Sequence, residues 1–238
     1  MRQWIAGLVV LATALVAAVP LAGASGTTCT GELAPGTYHK LIVPEGAVCG
    51  TEAGPVTIKG GLYVRAGATF VLGSEENPVQ TGRIRGGVHA ANAMSVQIHF
   101  STISGGVHIR GGVHAVNAMS VQIHFSTING GVYISGGSGP FGGPFEVTWN
   151  TLEDNVINGS VWMTGYNGFW EGFFRNNVHG SVNYNDNTLV DPDGNEVQTN
   201  TIHGNLNCSG NDPAPQQGDS EGSPNVVTGQ KTGQCVGV

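Results

Sequence analysis

The feature that most constrains this chain is an internal repeat. Residues 84–107 read IRGGVHAANAMSVQIHFSTISGGV and residues 109–132 read IRGGVHAVNAMSVQIHFSTINGGV, so 22 of 24 positions match at an offset of 25. The exceptions are Ala91/Val116 and Ser104/Asn129. A fixed period of about 20–50 residues marks a solenoid, a propeller or an array, because one unit cannot bury its apolar face without its neighbours. Inside the unit, Val121, Ile123 and Phe125 alternate with Gln122 and His124. That period of two belongs to a strand. A propeller blade needs about 40 residues, and a sandwich gives no reason for the repeat. The expectation is an all-β, right-handed parallel β-helix.

Degenerate copies extend the pattern. STISGGVHI at 101–109 aligns with STINGGVYI at 126–134, NVINGSVWM at 155–163, NNVHGSVNY at 176–184 and NTIHGNLNC at 200–208. The column Val107, Val132, Val161, Val182, Leu206 has spacings of 25, 29, 21 and 24. Upstream, IKGGLYV at 58–64 matches IRGGVHA at 84–90 at an offset of 26. About six coils therefore fill residues 54–211, between an N-terminal cap at 25–53 and a C-terminal cap and tail at 212–238. Parallel strands stack about 4.8 Å apart, so each column repeats its side chain along the axis. Ile103, Ile128, Ile157, Val178 and Ile202 form one interior ladder. Gly105, Gly130, Gly159, Gly180 and Gly204 mark a bend where a side chain would crowd the backbone. Ser101, Ser126, Asn155, Asn176 and Asn200 form a polar column able to satisfy turn amides.

Composition agrees with short strands and tight turns. There are 39 glycines, and charged residues are 11% of the chain, against roughly 25% in ordinary soluble domains. The first 24 residues read as a signal peptide: a positive start, an apolar run from Trp4 to Val19, Pro20, and small residues before a cut at Ser25. The run of 16 residues is short of the roughly 20 that span a bilayer, so a secreted protein without membrane insertion is expected. Removing Arg2 with this leader leaves 8 basic residues against 16 acidic ones, a net charge near −8. That balance argues against nucleic acid and anionic membranes as partners.

Four cysteines fit an oxidising compartment. They allow three pairings. A solenoid holds its ends apart, so Cys29 should pair with Cys49 and Cys208 with Cys235. Their separation, with no CxxC, argues against a zinc site.

GTYHKLIVPEGAVC at 36–49, the GGV and GNL repeats, and the stretch from GNLNCSGNDPAP to KTGQC within 204–235 together carry a family likeness. In these motifs the chain resembles a group of secreted bacterial parallel β-helix proteins, mostly actinobacterial. The resemblance spans nearly the whole mature chain and implies the fold and secretion. It carries over no catalytic residue. The nearly perfect doubled coil and an aromatic insertion after Gly136 depart from the group.

Four constellations are candidates for chemistry. His89 with His114, and His99 with His124, should face outward one rung apart, as metal-bridging pairs would; duplication of a coil produces the same spacing with no metal. Asp191, Asp193 and Asn195, in the loop DPDGNE, are a weak calcium candidate, although Pro-Asp-Gly is a turn signal in itself. Trp162, Tyr166, Phe169 and Trp170 are candidates for an exposed sugar-stacking or protein-binding surface, set against a loop folding down as its own small core. Trp149 and Phe173 fall in or near interior columns. Glu146 and Glu196 share the column of Gln97 and Gln122, with Glu171 one residue out of register. Such carboxylates would stand about 5 or 10 Å apart, bracketing the pairs of glycosidases.

The reading that follows is a non-catalytic extracellular scaffold that binds a polysaccharide or a cell-surface protein and needs no cofactor. The alternative is a polysaccharide-active enzyme using Glu146, Glu171 and Glu196. Ice binding is set aside, because the outward column Thr102, Thr127, Val156, Asn177, Thr201 is a broken threonine array.

Overall fold

The computed structural model describes residues 26–51, 54–74, 81–110, 120–138, 149–218 and 222–238, the side chains of 107–110 excepted. The expected signal peptide lies outside the described residues. The chain winds into a parallel β-solenoid of about seven turns. Its three sides are parallel sheets of ten, nine and seven strands among the described residues. The ten-stranded sheet starts at Thr27–Thr28 and ends at Lys231–Gly233. Segments expected as caps thus supply rungs of their own: Gly36–Tyr38, Leu41–Val43 and Val48–Thr51 at one end, Val226–Val227 and Lys231–Gly233 at the other. Both disulfides form as expected, Cys29–Cys49 and Cys208–Cys235.

The interior is built from the predicted columns. In the nine-stranded sheet Ile103 pairs with Ile128, then Ile157, Val178 and Ile202, and all five are sealed from solvent. In the ten-stranded sheet Val88, Val107, Val132, Val161, Val182 and Leu206 lie in one register. Each buried aliphatic side chain contributes roughly 1.5–3 kcal/mol. The glycine column lies where successive coils touch: a Cβ on Gly159 would stand 2.5 Å from the Gly130 carbonyl carbon.

The corner between the seven- and nine-stranded sheets repeats one device. A residue with positive φ is followed by a polar residue that points inward. The first of these are Phe100, Phe125, Asp154, Arg175 and Thr199, with φ between 47° and 59°. The second are Ser101, Ser126, Asn155, Asn176 and Asn200, all buried. From Ser126 onward each accepts the backbone N–H of its predecessor in the stack, as Asn176 Oδ1 does from Asn155 at 3.1 Å and Asn200 Oδ1 from Asn176 at 2.9 Å. Asn225 extends the ladder one rung further. A second ladder of Asn187, Asn211 and Gln234 serves another corner. Buried turn amides are thereby satisfied without water.

One histidine pair keeps its outward face but not its expected exposure. Phe125 does not continue the inward alternation of Val121 and Ile123; its φ of 52° throws the ring out, and it is 43% exposed. It stacks on Phe100 at 4.8 Å. His99 and His124 alternate with the inward Ile98 and Ile123 and so stand on the outer face, yet each is 5% exposed; they lie edge-on to each other at 5.1 Å, with His124 hydrogen-bonded to Thr151.

Candidate functional site

Among the described residues, one outward column of the ten-stranded sheet forms an extended surface feature. In register it runs Ile42, Tyr63, His89, His108, Tyr133, Trp162, Asn183, Asn207, Thr232. It lies one residue after the interior valine column, so alternation turns its described side chains toward solvent. Tyr63 and His89 are stacked with centroids 5.0 Å apart and planes 17° apart. The Lys40 ammonium sits 4.2 Å above the Tyr63 ring. Tyr133 and Trp162 are 6.5 Å apart and tilted, and Trp162 is 41% exposed. Beyond Trp162 the column becomes amide: Asn207 Nδ2 donates to Asn183 Oδ1 at 3.1 Å, and Thr232 Oγ1 to Asn207 Oδ1 at 2.8 Å. The result is a straight stripe of half-exposed rings followed by carbonyl and amide groups, one rung every 4.8 Å or so.

Of the four aromatics predicted for binding, only Trp162 belongs to this stripe. Tyr166 is 1% exposed; its backbone N–H is held by Asn187 Oδ1 at 3.0 Å, and its ring lies against Gly168. It is core. Phe169 and Trp170 are half-buried on another side, where Trp170 packs 5.8 Å from Phe174 and donates from Nε1 to Glu196 Oε1 at 3.2 Å. Trp170 is not in a loop, as expected, but opens the strand Trp170–Phe174, and its ring and that of Phe174 close over Gly172 on the outer face of their own sheet. Trp149 differs from its expected place as well. Asn150 takes the inward position opposite Val121, leaving Trp149 in register with Trp170 and 38% exposed. Phe173 is interior as expected.

The carboxylates do not converge. Glu171 pairs with Asn150 and Asn195, Glu196 with Gly172, so the two point to opposite faces of one sheet. Glu196 is outward by alternation yet 2% exposed, bonded by Trp170 and by Gln198 Nε2 at 3.0 Å, with Gly218 lying over it. Glu146 lies outside the described residues, and in the strand Trp149–Glu153 the column of Gln97 and Gln122 is occupied by Thr151. Glu171 is wholly inside the bore. Burial pushes its carboxyl up to about 7, partly offset by the Asn150 hydrogen bond and the neighbouring Tyr184 hydroxyl. A carboxyl near 7 suits a general acid, but this one has no face open to a substrate. Burial and the nearby Glu171 in turn push Tyr184 well above the usual phenol range.

The calcium candidates are separated in the same way. Asp191 Oδ1 accepts the Asp193 N–H at 3.1 Å, and Gln216 donates to Asp193 Oδ1 at 3.3 Å. Asn195 is turned into the core, accepting from Tyr184 Oη at 2.8 Å and donating to the Pro213 carbonyl at 2.6 Å. The loop is a self-bonded turn. No group of three or more His, Cys, Asp or Glu able to hold a metal occurs among the described residues. Of the second histidine pair, His114 lies outside the described residues, and the rung above His89 is His108.

No family model, curated protein or solved structure matches this chain. The stripe therefore has to be read from its own chemistry. Sequence reasoning had placed Trp162 with His108 and Tyr133, and separately IKGGLYV over IRGGVHA. Joining those two alignments yields the column from Tyr63 to Asn207.

Proposed function

We propose that this protein is a secreted, non-catalytic scaffold that holds an extended polysaccharide along its ten-stranded face. The observation that carries the reading is the single outward column Tyr63, His89, Tyr133, Trp162, Asn183, Asn207, Thr232. Aromatic faces take the apolar C–H face of a sugar ring, and side-chain amides exchange hydrogen bonds with its hydroxyls. A rung spacing of about 4.8 Å is close to the advance of one ring in an extended β-linked glycan. A rigid, preformed surface avoids the ordering cost of binding. The leader-like first 24 residues and the two disulfides support secretion. Among the described residues no helix is long and apolar enough to cross a membrane. A cell-surface protein is the second partner class that such a face suits.

The test is retention of the mature protein on a panel of insoluble and soluble polysaccharides, with release of reducing ends followed in parallel. Trp162→Ala should weaken retention about tenfold, the loss of one stacked ring, and shift stability by less than about 1 kcal/mol. Unchanged retention sinks the stripe as the binding surface. Glycan breakdown by the wild type sinks the non-catalytic reading.

A further inference from the structure

The chain is acidic overall, yet its cations are not spread evenly. Three stand together on the outward face of the nine-stranded sheet near its N-terminal end. Arg83 lies in the rung between Thr57 and Thr102. Lys59 and Arg85 follow the paired residues Ile58 and Ile84, so they occupy neighbouring rungs of the next outward column. His39, which follows Tyr38, is the rung before them. All four side chains are exposed. Lys59, Arg83 and Arg85 form no ion pair with any described carboxylate, whereas Arg175 is paired with Glu153 and Asp154. Neighbouring rungs are about 4.8 Å apart, and alternate residues along one strand about 6.7 Å. Three positive charges are thus held within one small patch.

This patch adjoins the aromatic stripe. Lys59 is followed by Gly60, Gly61, Leu62 and Tyr63; Arg85 by Gly86, Gly87, Val88 and His89. The corner between the two faces is bare backbone, packed so closely that a Cβ on Gly86 would stand 2.5 Å from the Gly60 carbonyl carbon. No side chain stands between the cations and the stacked Tyr63–His89 pair, where Lys40 adds a further charge. The other end of the stripe, from Tyr133 through Trp162, Asn183 and Asn207 to Thr232, has Lys231 beside it, and that ammonium is bonded to the Val238 carbonyl oxygen.

We infer that the Lys59, Arg83 and Arg85 patch selects a carboxylate-bearing polysaccharide, its uronate groups paired with these cations while its rings lie on Tyr63 and His89. The inference rests on the proposed binding of a polysaccharide at the stripe and adds the class of sugar. Guanidinium groups bind carboxylates through two parallel hydrogen bonds. A glycan with one charge per ring suits three or four cations on an otherwise negative molecule. Densely charged polymers such as nucleic acid need a long basic track, which this surface lacks.

The experiment is affinity electrophoresis of the full mature protein through a β-1,4-linked polyuronate and through its methyl ester, which keeps the chain and removes the charge. The wild type should be retarded about tenfold more strongly by the acid form, an effect that weakens with added salt. K59S/R83S/R85S should lose that excess and match the wild type on the ester. The three positions are exposed, so the variant should keep the wild-type melting temperature, a control that separates lost binding from lost fold. Equal retardation by acid and ester overturns the inference and leaves the stripe standing. So does an unaltered preference in the triple variant, or stronger retardation by dextran sulfate than by the polyuronate, which would mark a general anion exchanger. Retention of neither form, with Trp162→Ala without effect on any glycan, overturns the stripe itself.

Discussion

Asn150 Nδ2 donates a 3.1 Å hydrogen bond to Glu171 Oε1 inside the sealed bore of the solenoid. Asn150 Oδ1 in turn accepts the Val121 N–H at 3.0 Å. Glu171 Oε2 has no hydrogen-bond partner among the described residues. A carboxyl in this setting keeps its proton, because ionisation would leave a charge in a low-dielectric interior. Its folded value of about 7 exceeds the ordinary 4.5, so between those values the folded state holds more protons than the unfolded one. The sign is therefore that stability from this group is complete below about pH 4.5 and declines through about pH 7, by about 3 kcal/mol in all. Glu171→Gln should flatten this decline and leave the protein more stable than the wild type at pH 8. Urea unfolding of both proteins at pH 5 and pH 8 measures it; parallel pH dependence in the two would rule it out.

Asn176 is a fully used rung of the corner ladder, as Asn200 is. Its side chain donates to the Leu152 carbonyl at 2.7 Å and to Asn200 Oδ1 at 3.1 Å, and it accepts from Asn155 N and Nδ2. Asn176→Ala strips these bonds and orphans a buried amide, at a cost of about 3 kcal/mol or more. Asn176→Ser should cost less, since Ser126 Oγ already holds the Ser101 N–H at 3.0 Å in the same column. Equal loss in the two variants, read from chemical denaturation, would contradict the amide-satisfying role.

Gly159 and Gly31 separate crowding from mere glycine content. A Cβ at Gly159 meets the Gly130 carbonyl at 2.5 Å, whereas one at Gly31 meets nothing within 4 Å. Gly159→Ala should destabilise by about 2–3 kcal/mol, because two backbones must part. Gly31→Ala should be neutral or raise stability by a few tenths of a kcal/mol to about 1 kcal/mol. Thermal melts decide; a tolerated Gly159→Ala would mean that the coils are not stacked this closely.

The bridge Cys208–Cys235 closes a span of 27 residues over the last rungs, where Lys231–Gly233 pairs with Leu206–Cys208. In the chain-entropy picture that loop contributes roughly 3–4 kcal/mol. Replacing both cysteines by serine should loosen residues beyond Asn211, bare the end of the core and promote association, leaving the central coils intact. Hydrogen exchange by segment reads this directly. Protection lost equally throughout 149–208 would show that the bridge supports the whole solenoid and not its end alone.

Those ladders were legible because stacking turns a repeat into a column. The isoleucines from Ile103 to Ile202 and the Ser/Asn column from Ser101 to Asn200 needed only alignment. What escaped was local. Phe125 breaks strand alternation through a left-handed φ that nothing in an aromatic residue announces, since aromatics seldom adopt it. Tyr166 follows another left-handed residue, Gly165, and the same inward step that serves the asparagines carries it into the core. Glu171 was readable in principle: one residue out of register in a strand means the opposite face, hence the interior. The stripe was half-seen. His89 was matched to His114 by the 25-residue offset, but the rung above it is His108, only 19 residues on.

The duplicated unit has a consequence for how such a molecule changes size. Residues 95–99 and 102–104 lie in register on 120–124 and 127–129, so copying one such segment inserts one storey into the middle of the tower. The bridges at Cys29–Cys49 and Cys208–Cys235 are undisturbed by it. Length then grows in increments of about 4.8 Å, with the chemistry of each storey inherited from its template. A lineage that gains or drops a unit in this way retunes the length of its outward columns, as a ruler is recut, without having to evolve a new kind of rung.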